Sequence, residues 1–384
     1  MSLAAVSSTA KGLRDLQKEV LDAGLCTMCG ACVGHCPYLR RYEGRVVVLD
    51  NCDLGNGDCY RYCPRTPTDW DVLNQTAYGA PYTLDGLGTV RHVAMCRSTS
   101  SQIHQRGQDG GVVTALLTLA LDEGLIDAAV AAITSDDWSP LGIVARSERE
   151  ILRCAGNSYE ASFSLEALNR LPEESQERLA VVGLPCQVEA LAKMQAYHTK
   201  ATARIRNVRL VLGLFCGWAL MPRAFHEFLR KTVDPRQVIK FDIPHHPANS
   251  FDIYDRSGAI SIELDRIRPF VNPGCSYCLD MTSEFADISV GSGRRMYGWN
   301  TVVIRSERGQ ELYEMAQSKG VIAETAYPEE NLVHLKRASL NKKKLALERI
   351  IHKSGSKDDL IYLAGSATRR QEFLSLLEQG SGSG

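Results

Sequence analysis

Apolar positions fall into two rhythms along the chain. In residues 10–23, Leu13, Leu16, Val20 and Leu21 share one face at helical spacing, which predicts a short amphipathic helix. From residue 91 the rhythm changes, and apolar runs of strand length alternate with helical patterns. RHVAMCRS (91–98), DAAVAAI (127–133), LAVVGL (179–184) and VRLVLGLF (208–215) read as strands. Residues 111–123, 165–171 and 187–196 read as helices. Beyond residue 240, FDIY, AISIEL, ADISVG and TVVIR predict further short strands, and residues 307–319, 338–352 and 366–378 predict helices. Strand–helix alternation with apolar strands is the pattern of an α/β fold. Residues 65–90 are rich in turn formers and weakly periodic, so they read as a linker or wrapping segment.

Cysteine changes the picture. There are 13, an odd number, and seven lie between Cys26 and Cys63. Without an export signal, clustered cysteines point to metal or redox chemistry rather than disulfides. Cys26-Thr-Met-Cys29-Gly-Ala-Cys32-Val-Gly-His-Cys36-Pro37 is the C-x₂-C-x₂-C-x₃-C-P run of a bacterial ferredoxin. Gly30 and Gly34 supply the tight turns that let the backbone curl round a cubane. A second run, Cys52, Cys59, Cys63 and Pro64, repeats the end of that pattern but not its beginning, because DLGNGD separates Cys52 from Cys59. In the usual exchange Cys26, Cys29, Cys32 and Cys63 hold one cluster. Cys36, Cys52 and Cys59 then hold a second that lacks a thiolate. Asp58 or Asp53 can supply an oxygen there; the alternatives are a three-iron cluster or an empty, degenerate site.

Three more features follow strands, where α/β proteins place their ligands. They are Gly183-Leu-Pro-Cys186-Gln187, Gly213-Leu-Phe-Cys216-Gly217 and the pair Cys275-Ser-Tyr-Cys278. Spacing alone allows these four thiols to converge on one metal centre, but equally allows buried core cysteines or a zinc pair. Gly107-Gln108-Asp109-Gly110-Gly111 opens a helix with Asp109 as candidate N-cap and bare amides suited to phosphate. No G-x-G-x-x-G follows a strand, so a Rossmann dinucleotide site is not supported. Arg294 and Arg295 after Gly293 suit an anionic ligand. His35 and the pair His245-His246 read as structural or solvated, and Lys193, Lys200, Arg204 and Arg206 as a solvated face.

Composition excludes whole classes. The 384 residues are 44% hydrophobic and 23% charged, ordinary for a globular chain of two or three domains. With 44 Lys+Arg against 45 Asp+Glu, nothing favours nucleic acid or an anionic membrane. The most apolar stretch, residues 111–134, is broken by Asp122, Glu123 and Asp127, so no membrane span is expected. The start lacks a signal-peptide pattern, and a cytoplasmic location is the expectation. Residues 380–384, GSGSG with Gln379 before it in the helical extension, read as a tag or disordered tail.

The order of motifs carries one further reading. GQDGGVVTALLTLALDEGLIDAAV, CAGNSYEASFS, GLPCQVEAL, GLFCGW, CSYCLDMTSEFADISVGS and GWNTVVIR succeed one another over residues 91–305. This region resembles the beta subunit family of coenzyme F420-reducing hydrogenase and formate dehydrogenase. The resemblance implies a small ferredoxin-like module with two iron–sulfur clusters (residues 1–66), a linker (67–90), a larger α/β domain binding FAD and its own [4Fe–4S] cluster (91–305), and a C-terminal helical extension (306–379). It implies Cys186, Cys216, Cys275 and Cys278 as ligands of that third cluster, leaving Cys96 and Cys154 to the fold. It implies flavin contacts from Gln108, Asp109, Gly110, Gly111 and Thr114, and from Asn157, Ser158, Tyr159 and Ser164. No residue is expected to act as a catalytic nucleophile. The implied activity is that of an oxidoreductase: FAD exchanges a hydride with a soluble carrier, F420 or NAD(P)H, and the clusters pass electrons to a hydrogenase, formate dehydrogenase or heterodisulfide-reductase-type partner. The alternative is a stand-alone ferredoxin-dependent flavin reductase of an organic substrate; a third class is a structural zinc module.

Overall fold

The computed structural model describes residues 11–135, 139–197, 203–244 and 248–378. Its centre is an eight-stranded mixed sheet. In chain order its strands are β1 (His92–Ser98), β2 (Ala128–Thr134), β3 (Pro140–Ala145), β4 (Leu179–Gly183), β5 (Val208–Leu214), β6 (Ile288–Ser292), β7 (Asn300–Ile304) and β8 (Ile322–Thr325). They lie in the order β8-β1-β7-β6-β5-β4-β2-β3. The middle four, β6-β5-β4-β2, are parallel, and both flanks are antiparallel.

Side-chain alternation explains why these strands are apolar throughout. Ala128, Val130, Leu179, Val181 and Val211 enter one core, and their neighbours Ala129, Ala180, Leu210 and Leu212 enter the other. A strand buried on both faces loses the polar half of its pattern. Helices Val112–Asp122 and Glu307–Ser318 cover the second face; Pro185–Ala196, Trp70–Tyr78 and Glu329–Ser354 contribute to the first. A smaller antiparallel sheet, Val238–Asp242, Ser250–Asp255 and Gly258–Glu263, packs with helix Pro222–Arg230 through Phe225, Phe241 and Phe251.

The cysteine-rich segment has no large core of its own. Leu13, Leu16, Val20, Leu25 and Leu39 pack together with Ala161, Phe163 and Ala219 of the larger unit. Residues 65–90 are no loose linker in conformation: they carry helix Trp70–Tyr78, and Trp70, Leu73, Tyr82 and Leu87 are buried. Trp70 makes edge contacts with Tyr82, Phe285 and Phe373, which ties the segment to both distant parts of the chain. The helix predicted at 338–352 is longer, Glu329–Ser354, because its buried side includes Asn331, Ser339 and Lys343 and so hides the apolar period. Strands β3 and β8 and helices Glu148–Arg153 and Pro222–Arg230 are additions to the elements that the sequence pattern predicts.

Asp109 is not the N-cap of helix Val112–Asp122. Gly111 holds that position in the left-handed region, and the Val112 amide donates to Asn300 Oδ1 at 3.2 Å. The Asn300 side-chain amide donates in turn to Gly291 O at 3.1 Å. Replacing Asn300 by alanine is expected to destabilise the fold by about 1–2 kcal/mol, the usual worth of a cap. A denaturant midpoint equal to that of the parent chain would refute this.

Candidate functional site

The cysteine loop folds as its glycines demand. Met28, Gly30 and Gly34 all have positive φ, at 58°, 88° and 78°. A Cβ on Gly30 would lie 2.6 Å from Phe163 O, so the loop is seated against the start of helix Ser164–Asn169. Asn169 Nδ2 donates to Gly30 O, Ala31 O and Val33 O at 3.2, 2.9 and 2.9 Å. Backbone amides of Met28, Tyr38, Arg65 and Ala219 each donate to a cysteine sulfur at 3.4 Å, those of Cys26, Cys36, Cys63 and Cys275. Such N–H···S contacts favour charge on sulfur.

Eleven of the described cysteines fall into three groups by their electrostatic contacts, with Cys59 also acting on Cys32 and so linking the first two. Cys26, Cys29, Cys32 and Cys63 form the first. Cys36 and Cys52 act on Cys59 and form the second. Cys186, Cys216, Cys275 and Cys278 form the third. Cys186 stands in the first turn of helix Pro185–Ala196, just beyond β4, and Cys216 follows β5. Burial pushes the thiols of Cys26, Cys29, Cys63 and Cys216 up to about 12. Cys96 is fully buried in β1, and Cys154 Sγ donates to Glu150 O at 3.3 Å; neither belongs to a group.

The first and third groups abut. Asn272 Nδ2 donates to Cys26 O at 3.1 Å, and a Cβ on Gly274 would lie 2.6 Å from Leu25 O. Cys29 in turn acts on Cys186. The second group lies in the cysteine-rich segment. Asp53 is paired with Arg14 at 2.5 Å, and Asp58 with Arg61 at 2.6 Å and His35 at 3.4 Å. His35 also meets Arg204 Nη2 at 3.4 Å, a structural position.

Arg65, Glu189 and Lys193, all buried, and the half-buried Lys342 lie around these thiols. The solvated-face reading is wrong for Lys193 and Arg204. Lys193 Nζ donates to Cys63 O at 2.7 Å and to Thr66 Oγ1 and Thr68 Oγ1 at 2.9 Å. Burial lowers its ammonium to about 8. Arg204 donates to Leu171 O at 2.8 Å beneath the surface, whereas Arg206 is exposed. Lys200 and the pair His245-His246 lie outside the described residues. Lys342 Nζ donates to Cys216 O at 2.6 Å. Arg65 and Glu189, both buried, approach to 3.7 Å. A signal for part of this existed: Cys186, Glu189 and Lys193 recur at helical spacing on one inward face of their helix.

Of the flavin candidates, Gln108 and Tyr159 are brought together by Asp242. Gln108 Nε2 donates to Asp242 Oδ1 at 2.7 Å, and Tyr159 Oη to the same oxygen at 3.5 Å. Asn157 Oδ1 accepts from the Tyr159 amide at 3.0 Å, with Ser158 between them. Gly110 admits no side chain, because a Cβ would lie 2.7 Å from Asn300 Oδ1. Thr114 is buried within its helix, and Ser164 is buried at the helix that seats the first cysteine loop. A cleft of about 470 Å³ is lined by Gln102, Arg106, Glu148, Arg149, Leu152 and Arg153, none of them a flavin candidate. Glycines in the other motifs serve packing: Gly291 lies under the Phe215 ring, and Gly213 against Ser283.

Residues 93–169 and 176–330 match the models for the N-terminal and C-terminal parts of the coenzyme F420 hydrogenase/dehydrogenase beta subunit, together more than half of the chain. The chain belongs to this family. The F420 hydrogenase/dehydrogenase beta-subunit family is one of oxidoreductases, and this member shares their fold as well as their motifs. A chain of the F420-reducing [NiFe] hydrogenase complex from Methanosarcina barkeri superposes with a TM-score of 0.63 at 29% identity, over 69% of this chain and 94% of that one. The beta subunit of coenzyme F420 hydrogenase from Methanothermobacter thermautotrophicus is 31% identical over 69% of this chain and 95% of its own. The coenzyme F420-dependent sulfite reductase of Methanocaldococcus jannaschii is 30% identical over 78% of this chain, which spans only 47% of that protein. Cys186, Cys216, Cys275 and Cys278 fall inside the C-terminal match, and the segment 26–63 precedes both matches. Among the described residues no helix is long and apolar enough to cross a membrane.

Proposed function

We propose that this beta-subunit member is an iron–sulfur flavoprotein that passes electrons between a soluble hydride carrier of the F420 type and a partner enzyme. Hydrogenase, formate dehydrogenase and heterodisulfide-reductase-type complexes are the partner classes. The observation that carries this reading is the pair of abutting four-thiol groups, built from separate segments of the chain. Bound flavin would exchange hydride with the carrier, and [4Fe–4S] clusters would move the electrons one at a time.

The donor set suits those groups. Four thiols with backbone N–H···S support are the ligands a cubane takes. Among the described residues no three His, Cys, Asp or Glu side chains converge closely enough for a single metal ion. Because burial raises these thiols to about 12, loading must expel their protons, so cluster assembly is expected to release acid. Gln108 and Tyr159 would order the flavin-contacting stretches through Asp242. Arg106, Arg149 and Arg153 offer their cleft a charge suited to a dinucleotide's diphosphate. The second group, with three cysteines, would hold a cluster with a non-cysteine ligand or a three-iron cluster.

An anaerobic titration of the isolated protein tests the reading. Reduced F420 and NAD(P)H are added separately while flavin and cluster absorbance are followed. Bleaching by reduced F420 alone is the expected result. Zinc without iron or flavin in metal analysis would overturn it, and bleaching by NAD(P)H alone would replace the carrier.

A further inference from the structure

Between the first and third thiol groups stands a residue that neither group needs as a ligand. Arg65 follows Cys63-Pro64, and its side chain is completely buried. One guanidinium nitrogen donates to Pro64 O at 2.9 Å, and the plane lies 4.8 Å from the centre of the Tyr362 ring. Its Nε and Nη2 have no hydrogen-bond partner among the described residues. Glu189, the nearest carboxylate, stays 3.7 Å away, too far to bond it.

The surroundings of this cation are two-sided. On one side the Arg65 amide donates to Cys63 Sγ at 3.4 Å; on the other, Tyr362 donates to Tyr277 O, between Cys275 and Cys278, and Glu189 lies one turn along the helix from Cys186. Each group also has a cation of its own: Lys193 beside Cys63, and Lys342 beside Cys216. Arg65 is the cation they share.

We propose that Arg65 is a potential-setting residue common to the two inner clusters, a fixed, buried positive charge with two N–H donors left unpartnered. The proposal rests on the cluster reading given above. Each cluster gains one negative charge on reduction. A buried cation close to both stabilises the two reduced forms and raises both reduction potentials, strongly so where water does not screen it.

The test is an EPR-monitored redox titration of the intact protein and its Arg65→Gln and Arg65→Lys variants, with iron and sulfide measured on each sample. Cys29→Ser and Cys216→Ser variants assign the two waves. In Arg65→Gln both inner clusters are expected to become about tenfold harder to reduce, a fall of about 59 mV in each midpoint. The Arg65→Lys variant should regain most of that shift, and the outermost cluster should hardly move. Unchanged midpoints in an iron-replete Arg65→Gln protein, or movement of one wave alone, would overturn the proposal. If Arg65→Gln loses iron, Arg65→Lys decides: full iron with near-parent midpoints supports a charge role, and loss of iron there too assigns Arg65 to structure alone. Absence of both clusters from the parent protein would instead sink the cluster reading itself.

Discussion

A Cys216→Ala variant is expected to lose about four iron atoms per chain and to stop delivering electrons to a partner while still accepting hydride. Cys216 leaves β5 directly into the third group, where Cys275 and Cys278 act on it. Removing a ligand exceeds in effect the loss of an outer-shell partner, which alone typically reduces affinity or activity 10–100-fold, so transfer to the partner should fall by at least about 100-fold. Flavin reduction by the carrier should persist, because the Gln108–Asp242–Tyr159 contacts do not involve this cysteine. Cys96→Ala is the control, since that thiol sits in β1 against Tyr313 and belongs to none of the three cysteine groups. Equal iron in Cys216→Ala and Cys96→Ala would remove the third group from the metal sites. A Cys52→Ala change bears on the three-cysteine group, so its effect should be confined to the outermost centre.

What the sequence made legible follows from how local each signal is. The spacing Cys26, Cys29, Cys32 and Cys36 lies within one loop, and the glycines that permit its turns are written beside it. Strands β4 and β5 show as apolar runs because both faces are buried. The convergence of Cys186 and Cys216 with Cys275 and Cys278 is a matter of tertiary approach, and spacing left zinc and core burial open; only the motif order favoured one centre. Contacts made at long range left no trace. Asn300 caps a helix that begins 188 residues earlier, so a nearby aspartate took its place in the reading. Lys193 and Arg204 look like a polar surface because charge usually means solvent. Here their donors are consumed by backbone oxygens of the cysteine-rich segment and of Leu171, which no one-dimensional pattern encodes. Trp70 and Tyr82 sit among turn formers, and their burial depends on Phe285 and Phe373 arriving from elsewhere.

The same long-range logic predicts a large loss of stability at Lys343. Its ammonium is wholly buried, pairs with the Glu284 carboxylate and donates to Leu279 O at 2.9 Å, one residue beyond Cys278. It also lies 5.2 Å from the centre of the Trp70 ring. Glu284 Oε2 accepts from Tyr82 Oη at 2.6 Å, so one buried pair joins the long helix Glu329–Ser354 to the 70–88 segment and the third cysteine group. In Lys343→Met the carboxylate stays buried without its cation, and the expected cost is about 3–5 kcal/mol. The pH dependence has a definite sign. Burial raises the Glu284 carboxyl above its ordinary range even with Lys343 present, and loss of the ammonium raises it further. The folded variant then holds a proton that the unfolded chain releases near pH 4.5. Its stability is therefore greatest below that point and falls as pH rises towards the folded-state value. Denaturant melts at pH 5 and pH 8 should show Lys343→Met closer to the parent chain at the lower pH. Removing both charges, in Lys343→Met with Glu284→Leu, should recover much of the loss and abolish that slope. A single variant as stable as the parent at pH 8, or one that gains stability with rising pH, would show that the pair is not what anchors the helix over the third cysteine group.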